Sequence, residues 1–148
     1  MGRKGMTLIE IMIVVALIAI MAAVATAIYR PYIRKARRSD AFTALKACYT
    51  AQEMYKAENG RYSDNQSALS GCPTQVPQDD PYYLIQLVPD PSGNGTWFSF
   101  VAVPQGSQAE DLAFCIDEEG REYWSENATV SRCCPTCSPW QQQEWERL

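Results

Sequence analysis

The sequence predicts an α+β fold: a long N-terminal α-helix, membrane-spanning in its first half, packed on a small antiparallel four-stranded sheet. Three observations favour this fold. Residues 11–28 are apolar except for Thr26. Apolar residues then recur at helical spacing as far as Tyr55, and Asn59-Gly60 ends the pattern. Four short β-prone runs follow after residue 81, separated by turns rich in Pro, Gly and Asp.

Charge divides the chain of 148 residues into a basic and an acidic part. Residues 1–38 carry seven Lys or Arg and one Glu, a net charge of +6. Residues 39–148 carry six Lys or Arg and sixteen Asp or Glu, a net charge of −10. Because an acidic domain repels phosphates, nucleic acid is not expected as the main ligand. The cations that follow the apolar run suit a membrane surface or an acidic neighbour.

The chain has no histidine and six cysteines. Without histidine, Ser-His-Asp catalysis and His-ligated metal sites are excluded, and no cofactor motif is present; neither an enzyme nor a metal or cofactor site is expected. An even number of cysteines downstream of an export-type N-terminus predicts disulfides, although the sequence leaves their connectivity open. The cysteines are Cys48, Cys72, Cys115, Cys133, Cys134 and Cys137.

The apolar run from Ile11 to Ile28 admits two interpretations. Counted from Met6 it has 23 residues, and as a helix it would be about 35 Å long, enough for a hydrocarbon core of roughly 30 Å. In the first interpretation it is an ordinary signal peptide, cleaved near Ala25 or Ala27 to release a soluble secreted protein. In the second, a basic leader ends at Gly5 and the helix is retained. Glu10 favours retention, because a signal core gains nothing from a carboxylate that costs ~2.5–3.5 kcal/mol at mid-membrane.

The residues Gly5-Met6-Thr7-Leu8-Ile9-Glu10, at the head of this apolar helix, resemble the class III leader and N-terminal helix of type IV pilins and the related pseudopilins. The resemblance implies that a prepilin peptidase cuts after Gly5 and that the new amine of Met6 is N-methylated. It also implies that Glu10 serves assembly by pairing with the Met6 amine of a neighbouring subunit. The alternative for Glu10 is a carboxylate that reaches back to the lipid headgroups.

The function implied by the resemblance is that of a structural subunit of a type IV pilus-like extracellular filament. The precursor would sit in the inner membrane and then polymerise through its N-terminal helix into a filament on the cell surface. The implied partners are further copies of the chain, the prepilin peptidase and the assembly platform of the inner membrane. A minor pilin or a type II secretion pseudopilin would share this N-terminus and is the alternative.

Four segments are expected along the chain: a leader (1–5), a hydrophobic helix (6–29), its amphipathic continuation (30–59) and a globular head (60–148). The family commonly has Gly and Pro where this chain has Ala19 and Ala27, so we expect the helix to persist there in the filament. Pro31 should kink or loosen it. The basic residues from Arg30 to Arg38 are expected to pair with acidic heads of adjacent subunits.

The amphipathic continuation predicts one buried stripe, and the head predicts a meander. The stripe consists of Ala41, Ala44, Leu45, Cys48, Ala51 and Tyr55. Residues 61–81 are expected to form an irregular loop. The four strands are predicted at Tyr82–Val88, Trp97–Val103, Leu112–Asp117 and Arg121–Trp124, with one face on the helix and the other exposed to water. The resemblance adds a stapled C-terminal loop, in which Cys133, Cys134 or Cys137 bonds to Cys115 or to the Cys48/Cys72 region.

Overall fold

The structure, a computed structural model, describes residues 6–126, 130–134 and 136–142, and of residues 24–28 only the backbone. The predicted leader and its Gly5 lie outside the described residues. The helix α1 spans Leu8–Asn59. In the described residues it is followed by six strands: β1 (Gln75–Val76), β2 (Tyr83–Pro89), β3 (Phe98–Pro104), β4 (Ala113–Asp117), β5 (Glu122–Ser125) and β6 (Gln141–Gln142). Short 3-10 turns lie at Gln66–Ala68 and Gly106–Gln108.

The predicted α+β class is confirmed, but the sheet has six strands in the described residues rather than four. Each strand pairs antiparallel with the next along the chain, in the order β1-β2-β3-β4-β5-β6. The longest ladder joins β2 to β3, from Tyr83 opposite Pro104 to Pro89 opposite Phe98. The four predicted runs correspond to β2–β5. β1 and β6 were missed because each has only two residues, too few to show an alternation of apolar and polar side chains.

Helix α1 includes Pro31 and the stretch from Ala19 to Ala27 in the isolated chain. The expectation that this stretch also stays helical in the filament remains a prediction. The predicted end is confirmed: Gly60 follows the helix with φ +74°, and its N–H donates to the Lys56 carbonyl at 2.8 Å. Only glycine adopts this left-handed conformation without strain, and the bond satisfies a carbonyl of the last turn.

The chain divides into two units, residues 1–35 and residues 36–148. In the first unit, the large apolar side chains between Met6 and Met21 are 45–78% exposed. Among the described residues, no helix combines the length and the apolar character that crossing a membrane requires.

In the second unit, which is called the head from here on and includes residues 36–59 of α1, the predicted stripe of α1 packs on one face of the sheet. Ala41, Leu45 and Cys48 are fully buried, and Tyr55 is half-buried. They share a core with aromatic residues of β3 and β4, and the rings of Phe42 and Phe114 lie 4.5 Å apart. Alanines on the stripe let the helix approach the sheet closely, and the phenylalanines fill the space between them.

The opposite face of the sheet is also covered, so the expectation that water contacts it was wrong. Side chains that alternate with the first set form a second buried cluster: Val101, Val103, Ala113, Cys115, Tyr123, Cys133 and Trp140. The last two come from the C-terminal segment 130–142, whose β6 also pairs with β5. Apolar residues on both faces of β3 require this second cover, and β3 is buried along its whole length.

Three disulfides fasten this arrangement: Cys48–Cys72, Cys115–Cys133 and Cys134–Cys137. The first ties α1 to the segment before β1. The second ties β4 to the C-terminal segment, which is the kind of staple that the resemblance implied. Adjacent Cys133 and Cys134 therefore have different partners.

Two buried aspartates hold the turns of the sheet. Asp90, at the end of β2, accepts hydrogen bonds from the backbone N–H and hydroxyl groups of Ser92 and Thr96. Asp117, at the end of β4, accepts from the backbone N–H of Arg121 at 2.8 Å and from its Nε at 2.8 Å. Both turns lie where the sequence predicts them, and a carboxylate surrounded by donors stabilises each.

Removing the Cys115–Cys133 bond should destabilise the head more than removing Cys134–Cys137. The first closes a loop of 18 residues and the second a loop of three. Loop entropy alone gives about 3 kcal/mol against about 2 kcal/mol, and Cys115 and Cys133 are also buried. We expect Cys115→Ala/Cys133→Ala to lower the free energy of unfolding by at least 3 kcal/mol and Cys134→Ala/Cys137→Ala by less, measured by urea titration of tryptophan fluorescence. Equal losses would contradict the view that the staple holds the second cover.

Candidate assembly surfaces

The N-terminal candidate site lies at the start of α1. The backbone N–H groups of Glu10 and Ile11 donate to the Thr7 carbonyl at 3.1 and 3.3 Å, which closes the first turn. Glu10 is exposed in that turn, where the partial positive charge of the helix N-terminus favours a carboxylate. Met6 is exposed and lies four residues before it. The two predicted site residues are therefore four positions apart along the chain, with Met6 just before the helix begins at Leu8.

Glu10 lies among exposed apolar side chains. In the part of the chain that the structure describes, no cation is within ion-pair distance of it. A carboxylate in an apolar environment is costly unless a cation or donor pairs with it. The predicted role of Glu10 in assembly requires such a partner from another chain.

The basic segment predicted to face neighbouring subunits is divided by the structure. Arg38 binds Asp111, with its Nε 3.1 and 3.2 Å from the two carboxylate oxygens. Arg37 donates to the Ser107 hydroxyl at 2.8 Å and lies 4.9 Å from the centre of the Tyr82 ring. Arg37 and Arg38 thus have partners within their own chain, and the intersubunit role expected for the basic segment stays a prediction.

Asp111 is the centre of a buried polar cluster that the sequence did not predict. It also accepts from the Tyr83 hydroxyl at 3.2 Å and from the side-chain amide of Gln108. Burial by itself raises the pKa of Asp111, but the hydrogen bond and charge of Arg38, together with hydrogen bonds from the Leu112 backbone N–H and the Gln108 amide, outweigh it, so the net pKa is lowered. The hydrogen bond to Asp111 likewise raises the pKa of Arg38. Asp111 and Arg38 lie 73 positions apart, and no local pattern pairs them.

The other cations of the head are also occupied. Each Lys and Arg in the described residues of the second unit contacts a carboxylate, a carbonyl, a hydroxyl or an aromatic ring; they are Arg37, Arg38, Lys46, Lys56, Arg61, Arg121 and Arg132. Exposed carboxylates are numerous by comparison: Asp40, Glu58, Asp64, Asp79, Asp80, Glu110, Glu119 and Glu126. The surface of the head is therefore dominated by negative charge.

A metal centre is not formed by the acidic and cysteine side chains of the described residues, since no group of three lies close enough together to hold an ion. Their cysteines are all in disulfides.

Comparison with known proteins identifies the family. The sequence profile of the family described as "Type IV minor pilin ComP, DNA uptake sequence receptor" matches residues 27–118. A second profile, the "Prokaryotic N-terminal methylation motif", matches residues 1–26. The chain belongs to the type IV pilin family. The predicted resemblance is thereby confirmed.

Individual relatives include pilins and a secretion protein. The chain is 44% identical over 71 residues to the type IV major pilin protein PilA of Myxococcus xanthus, across 48% of this chain and 32% of that pilin. It is 46% identical over 60 residues to a fimbrial protein of Moraxella nonliquefaciens, across 40% of this chain and 38% of the other. These alignments thus span only about a third of the length of each of these two relatives.

A longer alignment joins this pilin-family chain to the type II secretion system core protein G of Pseudomonas aeruginosa. The two are 31% identical over 132 residues, across 84% of this chain and 90% of the relative. Among solved structures, a type IV pilin from Shewanella oneidensis has a TM-score of 0.47 and 24% identity, across 66% of this chain and 99% of that one.

Replacing Arg38 should destabilise the head, since it leaves the buried Asp111 carboxylate without its cation. We expect Arg38→Gln to lower the free energy of unfolding at pH 7 by about 3 kcal/mol. Because the pKa of Asp111 is lowered on folding, the pair stabilises the head above the ordinary Asp pKa of about 4 and this contribution is lost as the pH falls further. The difference in the free energy of unfolding between the native chain and Arg38→Gln, measured by urea titration, should therefore shrink below about pH 4.

A matched variant, Arg34→Gln, removes an exposed arginine one turn earlier and should leave the stability of the head unchanged. Equal stability of Arg38→Gln and the native chain at pH 7 would contradict the role of the pair.

Proposed function

We propose that this chain is a structural subunit of a type IV pilus-like extracellular filament and has no enzymatic role. The precursor is held in the inner membrane by its N-terminal helix, is cleaved after Gly5 and is N-methylated at Met6. The subunit then polymerises through that helix into an extracellular filament on the cell surface. Its partners are further copies of the chain, a prepilin peptidase and the assembly platform of the inner membrane.

The observation that carries this proposal is the contrast between the two units of the chain. The head buries its apolar residues in two clusters, one on each face of the sheet. The apolar side chains from Met6 to Met21 remain exposed instead. Exposed apolar surface of this extent needs lipid or other protein chains around it. A membrane before assembly and a bundle of identical helices afterwards supply those two environments.

The mature N-terminus is the most informative test. We expect mass spectrometry of the chain, produced in a host with a prepilin peptidase, to give a first residue of N-methylated Met6. Gly5→Leu should block cleavage and leave the leader attached, because the peptidase must fit the residue before the cut. The matched variant Gly2→Leu changes a leader glycine away from the cut and should be processed normally.

A mature chain that begins near Thr26 or Ile28 would refute the filament proposal. It would favour the soluble secreted protein cleaved near Ala25 or Ala27.

Glu10 is the proposed assembly residue. Cleavage creates a cation at the Met6 amine, and methylation leaves it charged. In a bundle of staggered helices, the amine of an incoming subunit meets the Glu10 carboxylate of its neighbour. Pairing removes the cost of an isolated charge in an apolar environment and fixes the axial register of the helices.

Neutralising Glu10 should therefore impair polymerisation without affecting the head. We expect Glu10→Gln to reduce the yield of sheared filaments by at least tenfold, as expected for loss of one buried charge pair. Processing at Met6 and the urea stability of the head should be unchanged. The matched variant Glu58→Gln removes an exposed carboxylate from the other end of α1 and should assemble normally. Filaments of native yield from Glu10→Gln would show that Glu10 has a different role.

A minor pilin or a type II secretion pseudopilin is the second candidate function. The alignment over 90% of the secretion core protein G favours it, as does the description of the matched family as a minor pilin. Both alternatives keep the same N-terminal mechanism. Long filaments built mainly of this chain would favour the major subunit, and short or rare ones the alternatives.

The matched family is also described as a DNA uptake sequence receptor. We propose that nucleic acid is not the main ligand of this head. Phosphate recognition needs available Lys and Arg side chains. In the described part of the head these side chains contact partners of the same chain, and exposed carboxylates outnumber them.

A further inference from the structure

The residues that follow the apolar run carry two tyrosines and three cations on the helix surface. Tyr29 and Tyr32 are 65% and 76% exposed. Arg30, Arg34 and Lys35 are exposed as well. Among the described residues, none of these three cations has an ion-pair partner. We refer to residues 29–35 as the 29–35 segment.

The dimensions of the 29–35 segment match the headgroup layer of a bilayer. Its seven residues rise by about 10 Å along the helix, and the polar layer on one side of a bilayer is about 5–8 Å thick. The largely apolar part of α1 before it, from Leu8 to Ile28, extends over about 32 Å, close to the hydrocarbon thickness of roughly 30 Å. The segment would therefore begin where the hydrocarbon ends.

Its composition also suits that layer. At 100° per residue, Tyr29 and Tyr32 lie on one side of the helix and Arg30 and Arg34 on the other. Tyrosine rings prefer the boundary between hydrocarbon and water, where the ring is in apolar surroundings and the hydroxyl is hydrated. Long cationic side chains reach from the same depth to phosphate groups.

We propose that the 29–35 segment binds the anionic phospholipid headgroups of the membrane surface on the side of the head. This inference rests on the proposed function, since it requires an inserted apolar helix. It also accounts for a charge distribution that opposes the usual rule for membrane helices, under which cations favour the cytoplasmic end. Five cations follow the apolar run and two precede it. Phosphates of the headgroups on the side of the head would offset the charge of Arg30, Arg34 and Lys35, which have no ion-pair partner among the described residues.

The test measures which lipid surrounds the chain. The full-length chain is reconstituted into phosphatidylcholine vesicles that contain a trace of spin-labelled phosphatidylglycerol or spin-labelled phosphatidylcholine. Electron paramagnetic resonance then gives the fraction of each label that the protein immobilises. Each cation near the surface favours an anionic lipid by about fivefold. We expect the native chain to prefer the anionic label at least fivefold and to lose that preference in about 1 M salt.

The preference is the ratio of immobilised phosphatidylglycerol label to immobilised phosphatidylcholine label. We expect this ratio to fall to about one in the triple variant Arg30→Gln/Arg34→Gln/Lys35→Gln. The matched control Lys46→Gln/Lys56→Gln/Arg61→Gln removes the same number of charges from exposed positions of the head and should keep the preference of the native chain. Circular dichroism establishes that both variants are folded.

The outcomes separate this inference from the proposed function. No immobilised lipid of either kind would refute membrane insertion and the proposed function with it. Immobilised lipid without an anionic preference in the native chain would overturn the inference alone. A preference that survives in the triple variant, together with loss of filaments, would overturn it in favour of carboxylates on a second copy of the chain.

Discussion

Burial of the stripe of α1 against the aromatic face of the sheet is the contact on which the rest of the head depends. Each phenylalanine of that face contributes about 1.5–3 kcal/mol when it is fully buried, and Phe98, Phe100 and Phe114 are all fully buried. Once the helix covers this face, neighbouring segments gain fixed positions. The side-chain amide of Gln52 donates to the Ser63 carbonyl and accepts from its N–H, both at 2.9 Å, which holds the chain as it leaves the helix.

The charges of the head follow from that packing. Arg38 lies on α1 just before the stripe, and Asp111 lies in the loop between β3 and β4, so the packed helix brings them together. Their bond holds this loop to the helix, while the similarly buried Asp117 orders the turn after β4. The head thus uses cations internally and leaves carboxylates at its surface. The negative charge of its surface is therefore a consequence of the internal ion pairs and hydrogen bonds that its cations make.

The sequence predicted the elements with a strong periodicity and missed those without one. The stripe from Ala41 to Tyr55 and strands β2–β5 were predicted from their spacing, and the head of α1 from its resemblance to pilins. The second cover of the sheet was missed because Cys133 and Trp140 lie in an irregular segment with no apolar alternation. The pairing of Arg38 with Asp111 and the connectivity of the cysteines depend on distant parts of the chain. Local patterns do not encode them.

The proposed roles of Glu10 and of the 29–35 segment give α1 two electrostatic interactions, and these differ in strength. Contacts with headgroups are made in water and are screened by salt, at about 1 kcal/mol for each cation. The proposed pair of Glu10 with the Met6 amine would form among apolar side chains, where leaving either charge alone costs several kcal/mol. The headgroup contacts would therefore add little to the apolar burial that holds the helix in the bilayer, whereas the Glu10 pair would keep a polymerised subunit in register. The difference between the two environments would then favour the filament over the membrane.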